Sequence, residues 1–153
     1  MRAMLIAATS MMLCQLSAAP VSKEPDDPAK TELTKLDGMW KVTSWKGSGS
    51  ELLEQTENLI ITFKNGECTW AGIVGPAGKI TRIDPTKMPK EVDYVYTDGD
   101  QKGKIQKAIY KLEGDTFTEC YNPEDEAARP REFKSTMGNG LMLVVYERVK
   151  AKK

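Results

Sequence analysis

The sequence predicts an all-β protein, an antiparallel up-and-down barrel or sandwich of about eight or nine short strands with one or two short helices. Three observations predict it. β-prone segments recur with turn signals at roughly ten-residue spacing. The turns are short, so neighbouring strands run antiparallel. No stretch carries a long helical period. The pattern centres on the run from Asp84 to Tyr121, where Glu91–Tyr96, Ile105–Leu112 and Thr116–Tyr121 are divided by Asp98-Gly99 with Gly103 and by Glu113-Gly114-Asp115. Such a meander cannot bury its apolar face alone, so the flanking chain must close it.

The elements follow in order. Residues 1–19 have the features of an export signal: Arg2, an apolar uncharged stretch from Ala3 to Leu16 too short to span a bilayer comfortably, and small residues Ser17-Ala18-Ala19. Cleavage is expected after Ala18 or Ala19, leaving no membrane span; an uncleaved anchor is the alternative, and Cys14 raises a lipid-anchored one. Residues 20–32 are rich in Pro and charge and read as a flexible linker, although Asp27-Pro28 can cap a short helix with Leu33 and Leu36 on one face. Met39–Trp45 is the first strand. Ser48 with Glu51 fits a capping box for a short helix over Leu52–Glu57. Leu59–Lys64 and Glu67–Gly72 flank Asn65-Gly66, a strong hairpin signal. Lys79–Asp84 is a fourth strand, ended by Pro85 and Pro89, and the central meander follows. Asn122–Pro130 is an acidic loop, Arg131–Ser135 a short edge-like strand, and Leu141–Arg148 the most apolar strand. A basic tail occupies 150–153, so the barrel domain spans 33–149.

Composition narrows the chemistry. Lys plus Arg and Asp plus Glu are both 22, and no basic stripe with interleaved aromatics steers the chain toward nucleic acid. The chain has no histidine, which removes Ser-His-Asp and Cys-His catalysis and His-ligated metals together. An enzyme would have to use carboxylates, Lys, Tyr or Cys. Asp93, Asp115 and Glu119 are available for a carboxylate-based hydrolase, which needs two acids about 5–10 Å apart across a cleft. Gly47-Ser48-Gly49-Ser50 lacks nucleophile-elbow spacing.

Two features resemble the lipocalin signature. Gly38-Met39-Trp40 matches the Gly-x-Trp that opens a lipocalin's first strand, and Arg148 stands where lipocalins keep an Arg across that Trp at the closed end. The wider chain, from about residue 33 to 149, is similar to a family of small exported lipocalin-like domains common in planctomycete bacteria. The matching pieces include Leu36–Val42, Ile61–Lys64, Asp84–Lys87, Thr97–Gly99 with Lys102–Lys104, Gly114–Thr116, Cys120 and Arg129-Pro130. The resemblance implies an antiparallel up-and-down lipocalin-like β-barrel, export, structural roles for Gly38, Trp40 and Arg148, and no particular activity. Cys68 lies outside the matching pattern.

Several candidate sites remain. Cys68 and Cys120 are a candidate disulfide, which would close a loop of about fifty residues and stabilise by about 3–4 kcal/mol; two buried free thiols are the alternative. Asp98–Gly103 looks like the start of a calcium loop, but Lys102 takes a ligand position and Ile109 stands in place of the bidentate Glu, so it reads as a turn. No metal or cofactor is expected. Glu124-Asp125-Glu126 reads as a solvated loop, or as a catch for a cation or basic partner. Trp45, Trp70, Tyr94, Tyr96, Tyr110, Phe117 and Tyr121 are rings that can line a pocket or fill a core. Of these, Trp70, Tyr94, Tyr96, Tyr110 and Phe117 are the candidate ligand-binding residues.

The expected function is a non-catalytic, exported binding protein holding a small apolar or amphipathic molecule in the barrel. The alternative is an envelope interaction or inhibitor module acting through its outer surface.

Overall fold

The computed structural model describes residues 27–52, 58–72, 77–124 and 127–150. The expected export signal, Cys14, the first seven residues of the expected linker and most of the expected 52–57 helix lie outside these residues. The elements are α1 (Pro28–Leu36), β1 (Gly38–Gly47), β2 (Ser50–Glu51), β3 (Ile60–Lys64), β4 (Glu67–Ala71), β5 (Gly78–Asp84), β6 (Lys90–Tyr96), β7 (Ile105–Glu113), β8 (Thr116–Tyr121) and β9 (Met142–Arg148). All pairings are antiparallel and follow chain order from β3 to β9. β1 pairs with both β3 and β9, so eight strands close into a barrel and β2 is an additional two-residue strand on β1. The predicted all-β lipocalin-like barrel is the observed fold.

Local chemistry explains the turns. At Asn65-Gly66 both residues have positive φ, 53° and 80°, the backbone that a two-residue turn between twisted strands requires. α1 begins where the Asp27 carboxylate accepts a hydrogen bond from Ala29 N–H at 3.0 Å, with Pro28 at the first position, where its missing N–H costs nothing. The capped helix that the sequence allowed at Asp27-Pro28 forms, and it takes in residues 28–32 of the expected linker. It is ordered by contact: Leu36 and Glu32 are both buried against the barrel end.

That end is sealed as the resemblance implies. Trp40 is fully buried, its indole N–H donates to Leu36 O at 2.7 Å, and the Arg148 guanidinium lies 4.1 Å from its ring centroid. Trp40 and Arg148 are also cross-strand partners in the β1–β9 pairing. Arg148 donates to the carbonyls of Asp37, at 2.8 Å, and Lys35, satisfying backbone oxygens left over at the helix end. Gly38 must be glycine: its φ is +127°, and a Cβ there would stand 2.8 Å from Arg148 Nη1.

Side chains alternate along each strand, and the inward set fills the closed half of the barrel. Trp40, Phe63, Tyr110, Phe117 and Tyr146 pack ring against ring, with Phe117 at the centre, 5.8 Å from Trp40, 5.9 Å from Phe63, 6.2 Å from Tyr110 and 5.2 Å from Tyr146.

Residues 127–141 cross the outside of the wall. Expected in part to be a strand, residues 131–135 are irregular. Side chains rather than a ladder satisfy this stretch: Ser135 Oγ donates to Leu141 O, and Asn139 Nδ2 donates to Lys134 O. Arg129 pins the connection by donating to Ala108 O at 2.6 Å, to Val92 O at 3.1 Å and to the Asp93 carboxylate. Ile109 and its cross-strand partner Cys120 are consequently buried on the outer face of the sheet.

This placement corrects the disulfide expectation. Cys68 faces into the barrel and Cys120 faces outward under the connection, and both are free thiols. On opposite faces of the wall they cannot meet. Two thiols are expected by mass spectrometry after alkylation in denaturant. In native buffer both label slowly; Arg129→Ala accelerates labelling of Cys120 by about tenfold or more while leaving Cys68 slow, because only the outer cover is loosened.

Candidate functional site

The half of the barrel opposite Trp40 is packed less completely. β1 leaves the closed end at Gly38 and reaches the mouth at Trp45, while β8 and β9 meet at the mouth through the Tyr121–Met142 pair. Between them lies a cavity of about 40 Å³, partly open to solvent and lined by Ile61, Cys68, Trp70, Gly78, Tyr94, Tyr96, Gln106, Glu119, Tyr121 and Tyr146. Ordinary ligand cavities hold several hundred Å³, so this one suits a few waters or a small head group rather than an acyl chain.

Glu119 is its chemical centre. The β8 alternation that turns Phe117 into the core turns Glu119 inward as well, leaving it 3% exposed. Tyr146 Oη donates to one carboxylate oxygen at 3.3 Å, and Gln106 Nε2 approaches the other at 3.5 Å. Gln106 is held by Tyr96, whose hydroxyl donates to its amide oxygen. Tyr94 faces the same carboxylate, but its buried hydroxyl meets no partner at hydrogen-bonding geometry. Burial pushes the Glu119 carboxyl up to about 7, only partly offset by the nearby Tyr94 hydroxyl, which stands close without full bonding geometry, and by the bonds from Tyr146 and Gln106. Burial likewise pushes the Cys68 thiol and the Tyr96 phenol up to about 12, so neither is ionised at neutral pH.

The candidate ligand residues divide by depth. Trp70, Tyr94 and Tyr96 line the cavity. Tyr110 and Phe117 do not: Phe117 is the centre of the aromatic core, and Tyr110 reaches the closed end, donating to Glu32 at 3.3 Å. Both have the right strand face and the wrong height. Trp45 stands at the mouth, stacked on Trp70 at 6.3 Å. Gln106 and Tyr146 were not among the expected lining residues. Period-two alternation points to both, since Gln106 continues the face of Ala108 and Tyr110, and Tyr146 that of Val144.

The other carboxylates lie elsewhere. Asp93 is on the outer face, paired with Arg129 and 3.9 Å from Arg82, so it cannot join Glu119 as an acid pair. Asp115 sits at the closed end, 3.6 Å from Arg148 Nε. Asp98 accepts from Ala77 N–H and orders a turn. Residues Asp125 and Glu126 of the acidic loop lie outside the described residues.

Fold and mouth together define a lipocalin-like barrel with a small polar-aromatic pocket. In comparisons with known proteins, no family model, no curated protein and no solved structure matches the chain.

Proposed function

We propose that the protein is a non-catalytic, exported binding protein that takes a small molecule, or one end of an amphipathic one, at the open mouth of its barrel. The observation that carries this reading is the cavity beside Glu119: a barrel packed solid at one end keeps polar-aromatic space at the other. Export, to a periplasmic or extracellular site, and kinship with the planctomycete lipocalin-like domains belong to the same proposal, supported by the N-terminal pattern and the quoted motifs. That no second carboxylate lines the cavity beside Glu119 among the described residues supports the non-catalytic part. Native mass spectrometry of protein purified from its source, with titration of a small apolar dye against intrinsic Trp emission, tests it. The expected result is saturable quenching that Trp70→Leu abolishes. Quenching unaffected by that change, or no binding, rejects the pocket.

A second reading, an envelope interaction module, draws on Met88 and Met137, which are 99% and 90% exposed. Met88 borders an outer groove with Pro85, Pro89 and Phe133. Recovery of one stoichiometric protein from an envelope extract, lost on Met88→Lys, would favour it over the pocket.

A further inference from the structure

Building on the pocket reading above, we propose that the mouth cavity is a site for a small organic ammonium ion, with Glu119 as counter-charge and the rings of Trp70, Tyr94, Tyr96, Tyr121 and Tyr146 as its cage.

Among the described residues two glutamates are buried, one at each end of the barrel, and comparing them carries the argument. Glu32, 2% exposed at the closed end, is fully compensated. Lys90 Nζ bonds one carboxylate oxygen, Lys35 Nζ stands 3.2 Å from the other, and Tyr110 Oη donates at 3.3 Å. Lys90 Nζ also lies 5.7 Å from the Tyr110 ring centroid. The protein thus already holds an ammonium group between a buried carboxylate and a tyrosine ring.

Glu119, 3% exposed at the other end, has the same kind of surroundings without the cation. The groups facing it are Tyr121 from its own strand, Tyr94 and Tyr96 from β6, Gln106 from β7, Tyr146 from β9 and Cys68 from β4. None carries positive charge, and no Lys or Arg lines the cavity among the described residues. The hydrogen bonds from Tyr146 and Gln106 are long, at 3.3 Å and 3.5 Å, and the Tyr94 hydroxyl stands close without full bonding geometry, leaving acceptor capacity free. A carboxylate withdrawn from water gains strongly from a cation brought into contact.

The rest of the cavity fits that cation. Aromatic faces attract ammonium groups by their quadrupole, and five rings line this cavity. The orphaned Tyr94 hydroxyl supplies a further oxygen for an ammonium N–H. About 40 Å³ accommodates a head group, and the opening lets the remainder of the molecule lie along Trp70 at the mouth. Because burial holds the Glu119 proton up to about pH 7, taking up an ammonium ion should expel that proton and tighten as pH rises toward 8.

The test compares benzylamine with benzyl alcohol, its neutral counterpart, by NMR titration of the purified protein at pH 6 and pH 8. At pH 8 benzylamine is expected to bind about tenfold or more tightly than the alcohol. Its affinity should fall about tenfold at pH 6, where Glu119 is mostly protonated, while that of the alcohol stays constant. Glu119→Gln should remove both the preference and its pH dependence. If that variant fails to fold, Tyr94→Phe serves instead, weakening benzylamine and leaving benzyl alcohol unchanged. Equal affinities for the two compounds at pH 8 would overturn the ammonium assignment and leave the pocket standing. A preference independent of pH would overturn the role of Glu119, and no perturbation of the lining residues by either compound would overturn the pocket itself.

Discussion

Glu119→Gln is expected to stabilise the protein by about 3 kcal/mol at pH 8 and by less than about 1 kcal/mol at pH 4. The sign follows from proton uptake. In the unfolded chain the Glu119 carboxyl ionises at the ordinary 4.5, and in the folded protein at about 7. Between those values folding binds a proton, so each rise in pH costs stability. Below 4.5 both states are protonated and the penalty vanishes; above 7 both are ionised and the penalty is complete. Gln cannot ionise and still accepts from Tyr146; its amide N–H gives up the long contact from Gln106 and offers a donor to the Tyr94 oxygen instead. Urea unfolding followed by circular dichroism at the two pH values measures the difference. A pH-independent effect, or destabilisation at pH 8, would mean that the native carboxylate is compensated by a group the geometry does not place there.

Trp40→Ala should cost about 3–5 kcal/mol, a large part of the 5–15 kcal/mol that holds a domain of this size together. The indole is fully buried, packs on Phe117 and lies under Arg148. Its loss also leaves Leu36 O without its donor at the helix end. Arg148→Met keeps much of the aliphatic cover but drops the bonds to the carbonyls of Asp37 and Lys35, and a cost of about 1–3 kcal/mol is expected. The two losses should fall short of additive in the double variant, since each removes the same contact. Additive losses would show that indole and guanidinium act independently of one another.

The legible part of this fold is what alternation, turn chemistry and the Gly38, Trp40 and Arg148 positions encode locally. Asn65-Gly66 sets its hairpin without help from elsewhere, and the strands of the meander lie within a residue or so of where pattern places them. What escaped the sequence depends on pairings across long separations. The Asp27-Pro28 cap marks the start of α1, but residues 28–32 also look like linker because nothing nearby reveals that Glu32 will be covered by Lys90 and Tyr110, 58 and 78 residues away. Residues 131–135 look like a strand because their outer-wall anchor, Arg129, reads as an ordinary loop residue. Both faces of β8 are buried, Phe117 and Glu119 inward, Thr118 and Cys120 outward, so alternation alone could not separate Cys120 from Cys68.

The candidate site was half legible for a related reason. Strand parity identifies inward rings but not their height along the barrel axis. Tyr94 and Tyr110 are therefore indistinguishable in the sequence, although one faces the cavity and the other the seal. Glu119 was visible only as one carboxylate among many. Its weight comes from an absence of neighbouring cations among the described residues, and an absence of that kind exists only in three dimensions.

The most direct measurement is an NMR titration of the Glu119 side-chain carboxyl carbon in the folded protein. A midpoint near pH 7 is the predicted result, displaced downward by benzylamine. A midpoint at the ordinary 4.5 would mean that the carboxyl is solvated or paired, and would contradict an uncompensated acid at the barrel mouth.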